Sequence, residues 1–288
     1  MRGDVKLQEI TPLILTYNED PNIARVLGKL DWAEHVVIVD SGSSDRTVDI
    51  ASAFPQVQVF VRPFDNHVDQ WNFGLDQIST PWVLTMDADY VLTDHFVAEL
   101  TRRAPLLDCD GYFARFRYCI NGRLLRGSLY PPRLLLFKTG RGRYVADGHT
   151  QRLELEGRTG WFSSRIHHDD RKPLADWLRA QERYSQLEAL KLRTEPVNSL
   201  DSTDRLRRHA WLIPLLTPAY CLFRKGLILD GRAGFYYTFQ RTYTELLMAL
   251  RLLEADGRAA LARNEHKHGA LVRPTEPVTG STGTARTE

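Results

Sequence analysis

Two aspartates that follow a short apolar run are the residues of this chain best suited to bind a metal ion. The run begins at Trp82, directly after Pro81, and is typical of a buried strand. Asp87 and Asp89 stand two positions apart at its end. Because alternate residues of a strand share a face, both carboxylates are expected to point to one spot beyond the strand. Two hard oxygen ligands suit Mg²⁺ or Mn²⁺ carrying the phosphates of a nucleotide.

An Asp-x-Asp pattern is weak evidence alone, because a chain of this length contains about one by chance. Asp108-Cys-Asp110 is a second example, and it follows no strand pattern. The alternative interpretation of Asp87 and Asp89 is a polar turn at a strand end. The elements around the motif have to decide between the two interpretations.

The composition is that of an ordinary globular protein. The chain has 288 residues, of which 43% are hydrophobic and 26% charged, with a net charge of +2. This length can form one large domain, or one domain with an appendage. The charge balance does not indicate a nucleic-acid partner. The three cysteines form no CxxC pair, which favours reduced thiols in the cytoplasm.

The chain shows no pattern for export or for crossing a membrane. The stretch from Met1 to Lys6 lacks the apolar core of a signal peptide. No uncharged apolar run approaches the about 18 residues that a spanning helix needs. We therefore expect a cytoplasmic protein.

Strands and helices alternate in the first hundred residues. Strands are predicted at residues 10–15, 35–40, 57–61 and 82–87, separated by segments with helical spacing of apolar residues. Asp20 is predicted to cap the first helix and Pro21 to begin it. This order predicts a parallel sheet flanked by helices.

The pattern changes after residue 100. Residues 112–120 alternate and precede Asn121-Gly122, which predicts a hairpin. Further strands are predicted at 133–137 and 152–156, and a helix from Pro173. The predicted organisation is a domain at 1–170, a helical region at 171–268 and a disordered tail at 269–288, which is rich in Thr, Gly and Pro.

An apolar segment at residues 211–223 lies outside the predicted sheet domain. It is too short to span a membrane, and Pro214 and Pro218 interrupt it. It is predicted to lie in the plane of a membrane surface, since basic residues flank it. Those residues are Arg205, Arg207, Arg208, Arg224 and Lys225. The alternatives are a buried core helix and a kinked helical hairpin.

Polar segments follow three of the predicted strands. They are Thr16-Tyr-Asn-Glu19, Val39-Asp-Ser-Gly-Ser-Ser-Asp-Arg-Thr47 and Asp87-Ala-Asp89. In this combination the first hundred residues resemble the inverting family 2 glycosyltransferases. The resemblance implies the GT-A fold, an α/β architecture with a Rossmann-like mixed, mainly parallel sheet flanked by helices, here followed by a helical C-terminal appendage.

The second half resembles a narrower branch, the lipopolysaccharide-core β-glucosyltransferase-like enzymes. The matching stretches are Asp147-Gly-His-Thr150, the segment from His167 to Pro173, Tyr184 with Glu188-Ala189, and the segment from Lys225 to Arg232. The chain departs from the branch at Tyr90, at Thr150 and at Gln70-Trp71-Asn72. The branch implies a UDP-hexose donor, with UDP-glucose the first guess, and a lipid-linked saccharide acceptor in cell-envelope or exopolysaccharide biosynthesis. It also implies a cytoplasmic protein peripheral on the inner face of the cell membrane.

The resemblance implies roles for individual residues. Asp89 would ligate Mg²⁺ or Mn²⁺, and Asp87 would share the metal or contact the ribose. Asp40 would hold the uracil or ribose. Nucleotide-sugar binding is implied for Thr16, Tyr17, Asn18, Glu19, Asp40, Ser41, Asp45, Asn72, Asp87 and Ala88.

An inverting transfer also needs a base for the acceptor hydroxyl. Asp147 is the first choice, because it lies in the later, acceptor-side segment beside a glycine; His149 is the second. Asp147 can equally be a loop residue that caps a turn. Two interpretations stay open for the histidines and acids at 167–170. They form a third metal ligand or a diphosphate clamp with Arg171 and Lys172, or a polar loop in which Asp170 caps the helix at Pro173.

Other functions are less consistent with these patterns. A non-catalytic nucleotide-sugar-binding protein, or a scaffold of polysaccharide assembly, would fit Tyr90 and Thr150, which replace family carboxylates. A sugar-phosphate nucleotidylyltransferase would need a Gly-rich loop with an arginine after the first strand. A dinucleotide-dependent oxidoreductase would need GxGxxG there. Neither loop is present in the sequence.

Overall fold

The computed structural model describes residues 6–104, 108–147, 150–200 and 202–271. The strands in these ranges are β1 (Ile10–Thr16), β2 (Val36–Asp40), β3 (Val57–Val61), β4 (Trp82–Asp87), β5 (Tyr90–Val91), β6 (Gly111–Ile120), β7 (Arg123–Leu124), β8 (Arg133–Lys138), β9 (Gly142–Asp147), β10 (Thr150–Leu155) and β11 (Thr159–His168). The α-helices are α1 (Asp20–Leu27), α2 (Thr47–Ser52), α3 (His67–Asp76), α4 (Asp94–Arg103), α5 (Leu174–Thr194), α6 (Ser202–Arg207), α7 (Ile213–Ala219) and α8 (Gly231–Leu271). Single turns of tighter or wider helix occur at Leu7–Glu9, Tyr220–Arg224 and Leu227–Asp230.

The first half of the sheet is parallel. Strands β3, β2, β1 and β4 lie side by side in that order. Strands β2 and β4 are buried along almost their whole length, as expected when helices cover both faces of a sheet. The four strands predicted from the sequence are confirmed, with β1 and β2 each shifted by one residue at one end. Helix α1 begins at Asp20, so Glu19 occupies the cap position and the predicted cap at Asp20 is wrong by one residue.

The second half makes the sheet mixed. The order continues from β4 through β8, β6 and β11 to β5. Strand β8 is antiparallel to both of its neighbours, β11 is parallel to β6, and β5 is antiparallel to β11. The predicted hairpin at Asn121-Gly122 is confirmed: both residues have positive φ, 49° and 78°, and β7 pairs back onto β6. The result is a Rossmann-like, GT-A-type α/β fold.

Two apolar layers cover the sheet. Ile14, Ile38 and Leu84 belong to one buried cluster, while Leu13 and Val39 belong to the other. Neighbouring residues of a strand thus enter opposite layers. The helix α3 packs on the second layer so closely that a Cβ at Gly74 would lie 2.6 Å from Leu13.

The C-terminal region is helical. Helix α8 packs along α5 and α7, with a buried cluster that includes Leu192, Leu200 and Met248. Residues 269–271, which the composition assigned to a disordered tail, belong to α8; the rest of that predicted tail lies outside the described residues. Over the described ranges, the helices are all too short or too polar to cross a bilayer.

The apolar segment at 211–223 forms α7 and the π-helical turn that follows it. Pro214 lies in the first turn of α7 and Pro218 near its end. Two of the basic residues predicted to meet a membrane have other roles. The guanidinium of Arg207 forms an ion pair with Glu245 at 2.7 Å, and that of Arg208 donates to the backbone carbonyl of Leu192 at 2.9 Å. That part of the prediction is corrected, because both guanidinium groups hold helices together.

Candidate active site

The carboxyl ends of β2, β1 and β4 bring polar residues to one edge of the sheet. Parallel pairing aligns Thr16 with Asp40, and Leu15 with Asp87. Because ligands of open α/β sheets bind beyond this edge, the three polar segments predicted from the sequence meet where a ligand site is expected.

Asp40 lies beneath this edge and shapes the loop after β2. It is 1% exposed. One of its carboxylate oxygens accepts from the hydroxyl groups of Thr16 at 2.7 Å and Ser43 at 2.6 Å, and the other from the backbone N–H groups of Gly42 at 3.0 Å and Ser43 at 2.7 Å. A carboxylate has about four acceptor sites, so these bonds occupy it. In this structure Asp40 and Thr16 therefore organise the loop, and their contact with the nucleotide stays a prediction.

Hydrogen bonds join the loops that follow β1 and β2. The backbone N–H of Asn18 donates to the hydroxyl of Ser43 at 2.9 Å, and the N–H of Ser44 donates to the Asn18 side chain at 2.9 Å. The N–H of Glu19 donates to the hydroxyl of Thr47 at 2.7 Å. Asn18 has a φ of +52°, a conformation that asparagine adopts more readily than most residues. The two loops therefore form one rigid wall of the site.

Of the remaining predicted residues in these loops, Asp45 and Ser41 form hydrogen bonds within the protein, and Tyr17 is exposed. Asp45 accepts from the backbone N–H of Asp20 at 3.1 Å, and the hydroxyl of Ser41 accepts from the amide of Gln70 at 2.9 Å. The side chain of Tyr17 is 54% exposed. Of these residues, Tyr17 offers the largest accessible surface to a ligand.

Asp89 lies in a turn, whereas Asp87 ends β4. The expectation that one strand carries both carboxylates is corrected, because the chain must turn at Ala88–Asp89 to enter β5. Ala88 is 3% exposed and packs in the core, which removes its side chain from the predicted nucleotide site. The Oδ1 atom of Asp89 is buried and has no hydrogen-bond partner among the described residues, and Oδ2 lies 3.7 Å from Nε2 of His168.

The turn around Asp89 carries an excess of negative charge. Burial, and then the charges of Asp170 and Asp87, raise the pKa of Asp89 well above its usual value. Burial raises the pKa of Glu19 to about 8; Lys172 opposes this rise and Asp89 adds to it. Buried carboxylates are costly unless positive charge lies close to them. This environment favours the binding of a cation.

A divalent metal ion fits this donor set. Over residues 6–104, 108–147, 150–200 and 202–271, no three His, Cys, Asp or Glu side chains converge closely enough to form a complete metal site. Mg²⁺, however, is commonly held by one or two carboxylates together with substrate phosphates and water. The buried Oδ1 of Asp89, which lacks a partner, and the nearby Asp87 meet that requirement.

Asn22 holds the segment after β11 at this edge of the sheet by hydrogen bonds. The buried amide of Asn22 donates to Glu19 at 2.9 Å and to Asp170 at 3.0 Å, and accepts from Arg25 at 2.8 Å and from the backbone N–H of Arg171 at 2.9 Å. The sequence analysis did not identify Asn22. Its one signal was its place next to Ile23 in the first turn of a helix with an apolar face.

Asp169 fixes the same segment. Its carboxylate accepts from Arg25 at 2.8 Å, from Arg171 at 2.9 Å and from the N–H of Gly122 at 3.1 Å. Asp170 accepts from the N–H of Lys172 at 3.0 Å, while α5 begins at Leu174 without a side-chain cap. The interpretation of Asp170 as a helix cap is therefore wrong.

Lys172 extends to the loop after β1. Its ammonium donates to a carboxylate oxygen of Glu19 at 2.5 Å and to the backbone carbonyl of Tyr17 at 3.2 Å. An ammonium has three N–H groups, so these two bonds leave one donor. His168 lies deeper, stacked on Tyr118 with ring centroids 4.5 Å apart, and burial lowers the pKa of its imidazole to about 4.

A cavity of about 360 Å³ opens beside Asp87. It lies between the sheet and the hairpin formed by β9 and β10, and Asp147 lines it as well. Tyr144 lines its wall, where its ring stacks on Trp71 at 5.0 Å and its hydroxyl donates to Thr85 at 3.0 Å. Trp71 itself is buried in the second apolar layer.

Asp147, the predicted base, is the last residue of β9. Its Oδ1 accepts from the ammonium of Lys191 at 2.7 Å, and the same ammonium lies 3.0 Å from Asp204. Burial lowers the pKa of Lys191, but its hydrogen bonds to Asp147 and Asp204 outweigh this and raise it. The ion pair links the cavity to α5. His149, the second candidate, lies outside the described residues.

Asn72 and Tyr90 have structural positions. The amide of Asn72 donates to the carbonyl and accepts from the N–H of Tyr144, both at 3.0 Å, so it ties α3 to β9. A contact of Asn72 with the donor stays a prediction. Tyr90 is buried, and its hydroxyl is hydrogen-bonded to that of Tyr130.

Comparison with known proteins agrees with this geometry. Residues 13–166 match the model of the family described as glycosyl transferase family 2. The lipopolysaccharide core biosynthesis glycosyltransferase LpsC of Rhizobium meliloti is 25% identical over 264 residues, which cover 85% of this chain and 92% of LpsC. The uncharacterized glycosyltransferase RP128 of Rickettsia prowazekii is 34% identical over 109 residues, 38% of this chain, and the match spans only 37% of the length of that relative.

Solved structures show weaker overall similarity. Staphylococcus aureus TarS 1-349, in complex with UDP-GlcNAc, has a TM-score of 0.46 and 12% identity, covering 86% of this chain and 91% of TarS. Glucosyl-3-phosphoglycerate synthase from Mycobacterium tuberculosis, in complex with Mn²⁺, UDP and phosphoglyceric acid, has a TM-score of 0.32 and 20% identity, covering 38% of this chain and 43% of that chain.

Proposed function

Because this chain belongs to glycosyltransferase family 2, we propose that it transfers a hexose from a UDP-sugar, with inversion at the anomeric carbon. The proposed acceptor is a lipid-linked saccharide of cell-envelope or exopolysaccharide biosynthesis. The similarity to LpsC over 85% of the chain supports this acceptor class, and UDP-glucose is the first donor to test.

One observation supports the donor site above all others. The buried Oδ1 of Asp89 has no partner among the described residues, at a sheet edge where Asp87 and Asp170 add negative charge. An unpaired buried acceptor of this kind is costly unless a ligand completes it. A divalent cation carrying the donor diphosphate would complete it.

The proposed metal ion is held by Asp89, with Asp87 as a second ligand or as a partner of its bound water. When bound, Mg²⁺ or Mn²⁺ supplies positive charge to the diphosphate leaving group. Lys172 adds a second positive charge at the same edge, and its remaining N–H could donate to the diphosphate. The exposed ring of Tyr17 offers a stacking surface for the uracil, and the joined loops after β1 and β2 keep it in place.

Asp147 is the proposed base, because it lines the same cavity as Asp87. In the transfer, an acceptor oxygen forms a bond to the anomeric carbon while the bond from that carbon to the diphosphate breaks. UDP leaves with the electron pair of the broken bond. The hydroxyl proton of the acceptor passes to the Asp147 carboxylate, and Lys191 keeps that carboxylate oriented.

We propose a membrane surface as the place where the enzyme meets its acceptor. A group of exposed apolar side chains occurs just before α7, on α7 and in the turns after it. They are Trp211, Leu215, Leu216, Tyr220, Phe223, Ile228 and Leu229. Helix α8 adds an exposed stripe at spacings of three and four residues. It consists of Phe235, Phe239, Tyr243, Leu246, Leu250 and Leu253.

The charge of the same region favours an anionic surface. Arg224 and Arg232 are exposed beside these apolar residues. Each cation adds about 1 kcal/mol near an anionic bilayer. A peripheral enzyme placed there would bind lipid-linked acceptors where they occur.

A donor screen tests the proposed reaction. Binding of UDP-glucose, UDP-galactose and UDP-GlcNAc would be measured by calorimetry with Mn²⁺ and with EDTA, and release of UDP would be followed with and without an extracted glycolipid acceptor. The Asp94→Ala variant is a control, since Asp94 is an exposed acid that pairs only with Lys29 among the described residues. Absence of binding to every UDP-sugar in Mn²⁺ and in Mg²⁺ would refute the proposal.

A further inference from the structure

A second cavity, of about 220 Å³, lies over β6 and β11. Five of the residues that line it are cationic. They are Arg115, Arg117, Arg126, Arg165 and Lys225. Such a concentration of like charge in one cavity creates a positive potential that attracts anions.

The strand register forces these charges together. Arg115 lies opposite Arg165 on the parallel pair β6–β11, and Arg117 lies opposite His167. Like charges at opposed positions of neighbouring strands are destabilising. Arg115 and Arg165, both exposed, therefore form a local concentration of positive charge that a bound anion would neutralise.

The protein supplies almost no such anion itself. Among the described residues, no carboxylate forms an ion pair with Arg115, Arg117, Arg165 or Lys225. Arg126 alone of the five has an acidic partner, Asp230, at 3.3 Å. Other arginines, such as Arg25 and Arg207, do find carboxylates. What distinguishes this cavity is that several cations without an acidic partner among the described residues lie together in it.

Packing around the cavity holds the cations in place. The guanidinium of Arg115 lies 4.6 Å from the ring of Trp161, which stacks on Phe113 at 4.8 Å. Gly127 lets its loop approach the end of the π-helical turn, because a Cβ there would lie 2.8 Å from the backbone oxygen of Lys225. The cavity is thus built from β6 and β11, from the segment between β7 and β8, and from Lys225 of the C-terminal region.

We propose that this cavity binds a phosphate group of the acceptor substrate. Guanidinium groups present paired N–H donors that match the oxygens of phosphate, and a phosphate monoester carries a charge of about −1.5 to −2 at pH 7. Several cations without an acidic partner match the double negative charge of a phosphate better than the single charge of a carboxylate. This phosphate is not the diphosphate of the donor, because the proposed nucleotide site lies at the ends of β1, β2 and β4.

The position of the cavity indicates how an acceptor would lie, an inference that rests on the proposed function. Pro132 lines both cavities, and Tyr130 of the second is hydrogen-bonded to Tyr90 of the first. A phosphate in the second cavity would let a neighbouring sugar hydroxyl reach Asp147 in the first. Lys225 also follows the exposed apolar turn at Tyr220–Arg224, so a lipid chain could leave toward that surface.

Phosphate binding by two variants tests the assignment. Wild type, Arg115→Gln/Arg117→Gln and Arg102→Gln/Arg193→Gln would each be titrated by calorimetry with inorganic phosphate, glucose 6-phosphate and monomeric dihexanoyl phosphatidic acid. Arg102 and Arg193 are the matched control, because both are exposed and neither forms an ion pair among the described residues. The same samples would be titrated with UDP and Mn²⁺, and their thermal unfolding would be compared.

We expect the Arg115/Arg117 variant to bind its best phosphate probe about tenfold more weakly or worse, while the control pair and UDP affinity stay at wild-type values. Tighter binding of phosphatidic acid assigns the phosphate to a lipid, and tighter binding of glucose 6-phosphate assigns it to a saccharide. Equal phosphate affinity in wild type and Arg115→Gln/Arg117→Gln, or an equal loss in the control pair, overturns the assignment. If UDP fails to bind the wild type while this phosphate pattern holds, the donor proposal fails and the phosphate site stands.

Discussion

The ammonium of Lys172 lies 2.5 Å from a carboxylate oxygen of Glu19, a residue 153 positions earlier in the chain. The same ammonium donates to the carbonyl of Tyr17 at 3.2 Å. The rim of the candidate donor site is therefore made from both halves of the chain. A matched set of variants can separate its role in ligand binding from its role in the fold.

Replacing Lys172 by Met removes this positive charge from the edge. We expect the dissociation constant of UDP at saturating Mn²⁺ to rise about tenfold, the effect of losing a charge-assisted hydrogen bond of about 1.5 kcal/mol. Calorimetric titration measures it. Lys29→Met is the control, because Lys29 pairs with Asp94 at the surface and should leave UDP affinity unchanged. Wild-type affinity in Lys172→Met would restrict Lys172 to a structural role.

Replacing Asp89, the proposed metal ligand, should abolish the dependence of UDP binding on a divalent metal ion. In wild type, UDP should bind more tightly in Mn²⁺ or Mg²⁺ than in EDTA. Asp89→Asn should remove that difference and lower turnover by about two to three orders of magnitude, as loss of leaving-group stabilisation does elsewhere. Asp94→Asn serves as control. Equal UDP affinity of the wild type in EDTA and in Mn²⁺ would exclude a metal role for Asp89.

Asp40→Ala should act through the loop and not through direct contact. It leaves the hydrogen-bond donors of Thr16, Gly42 and Ser43 without their acceptor, at a cost of about 1–3 kcal/mol in the free energy of unfolding. UDP affinity should fall with it, because Ser43 and Asn18 position the joined loop. Urea unfolding measures the first effect.

Asp65→Ala is the control for Asp40→Ala. Asp65 is exposed and pairs with Arg62 at the surface, so the unfolding free energy should change by less than about 0.5 kcal/mol. An unchanged unfolding free energy in Asp40→Ala, with weakened UDP binding, would instead indicate direct contact between Asp40 and the nucleotide.

The proposed base makes a kinetic prediction. Asp147→Asn should keep UDP-sugar affinity near the wild-type value and lower turnover by about two to four orders of magnitude. Lys191→Met, which releases the carboxylate, should lower turnover less. Should Asp147→Asn turn over normally while His149→Ala does not, the role of base passes to His149.

Membrane association should depend on the exposed apolar turns. Wild type should float with anionic liposomes, less with neutral ones, and less in high salt. Leu215→Ser/Phe223→Ser should stay in the soluble fraction, because both side chains are more than two-thirds exposed. Leu174→Ser/Leu178→Ser, on α5, is the matched control. If wild type fails to float with either liposome, the membrane proposal is refuted.

The strands at the centre of the sheet were predictable from the sequence. Strands β1, β2 and β4 are unbroken apolar runs because helices cover both faces of the sheet, and each ends in polar residues that must then lie at the same edge. That placed Asp87 correctly. It could not place Asp40, because spacing shows that an acid ends β2 but not that Thr16 and the following loop supply four donors to it.

Strand β11 and the segment that follows it, through Lys172, were harder to predict. Its register on β6 shifts between Trp161 and Arg165, which breaks the alternation that indicates a half-buried strand. Without β11, the sequence left two interpretations of the segment through Lys172 open, a metal ligand or diphosphate clamp and a polar loop. Asn22 illustrates the same difficulty, since its four hydrogen bonds depend on residues that only the tertiary fold brings near.

The pairing of the two-residue strand β5 with the end of β11 has a consequence during protein synthesis. Strands β1 to β4 can pair once residue 87 has left the ribosome, but the turn at Asp89 gains its partner Asp169 only later. At about 5–20 residues per second, the delay is about 4 to 16 s. We expect the nascent chain to carry a formed parallel half-sheet through this interval without a nucleotide site. Competence to bind the donor then arises late in translation, when the segment that carries Lys172 closes onto Glu19.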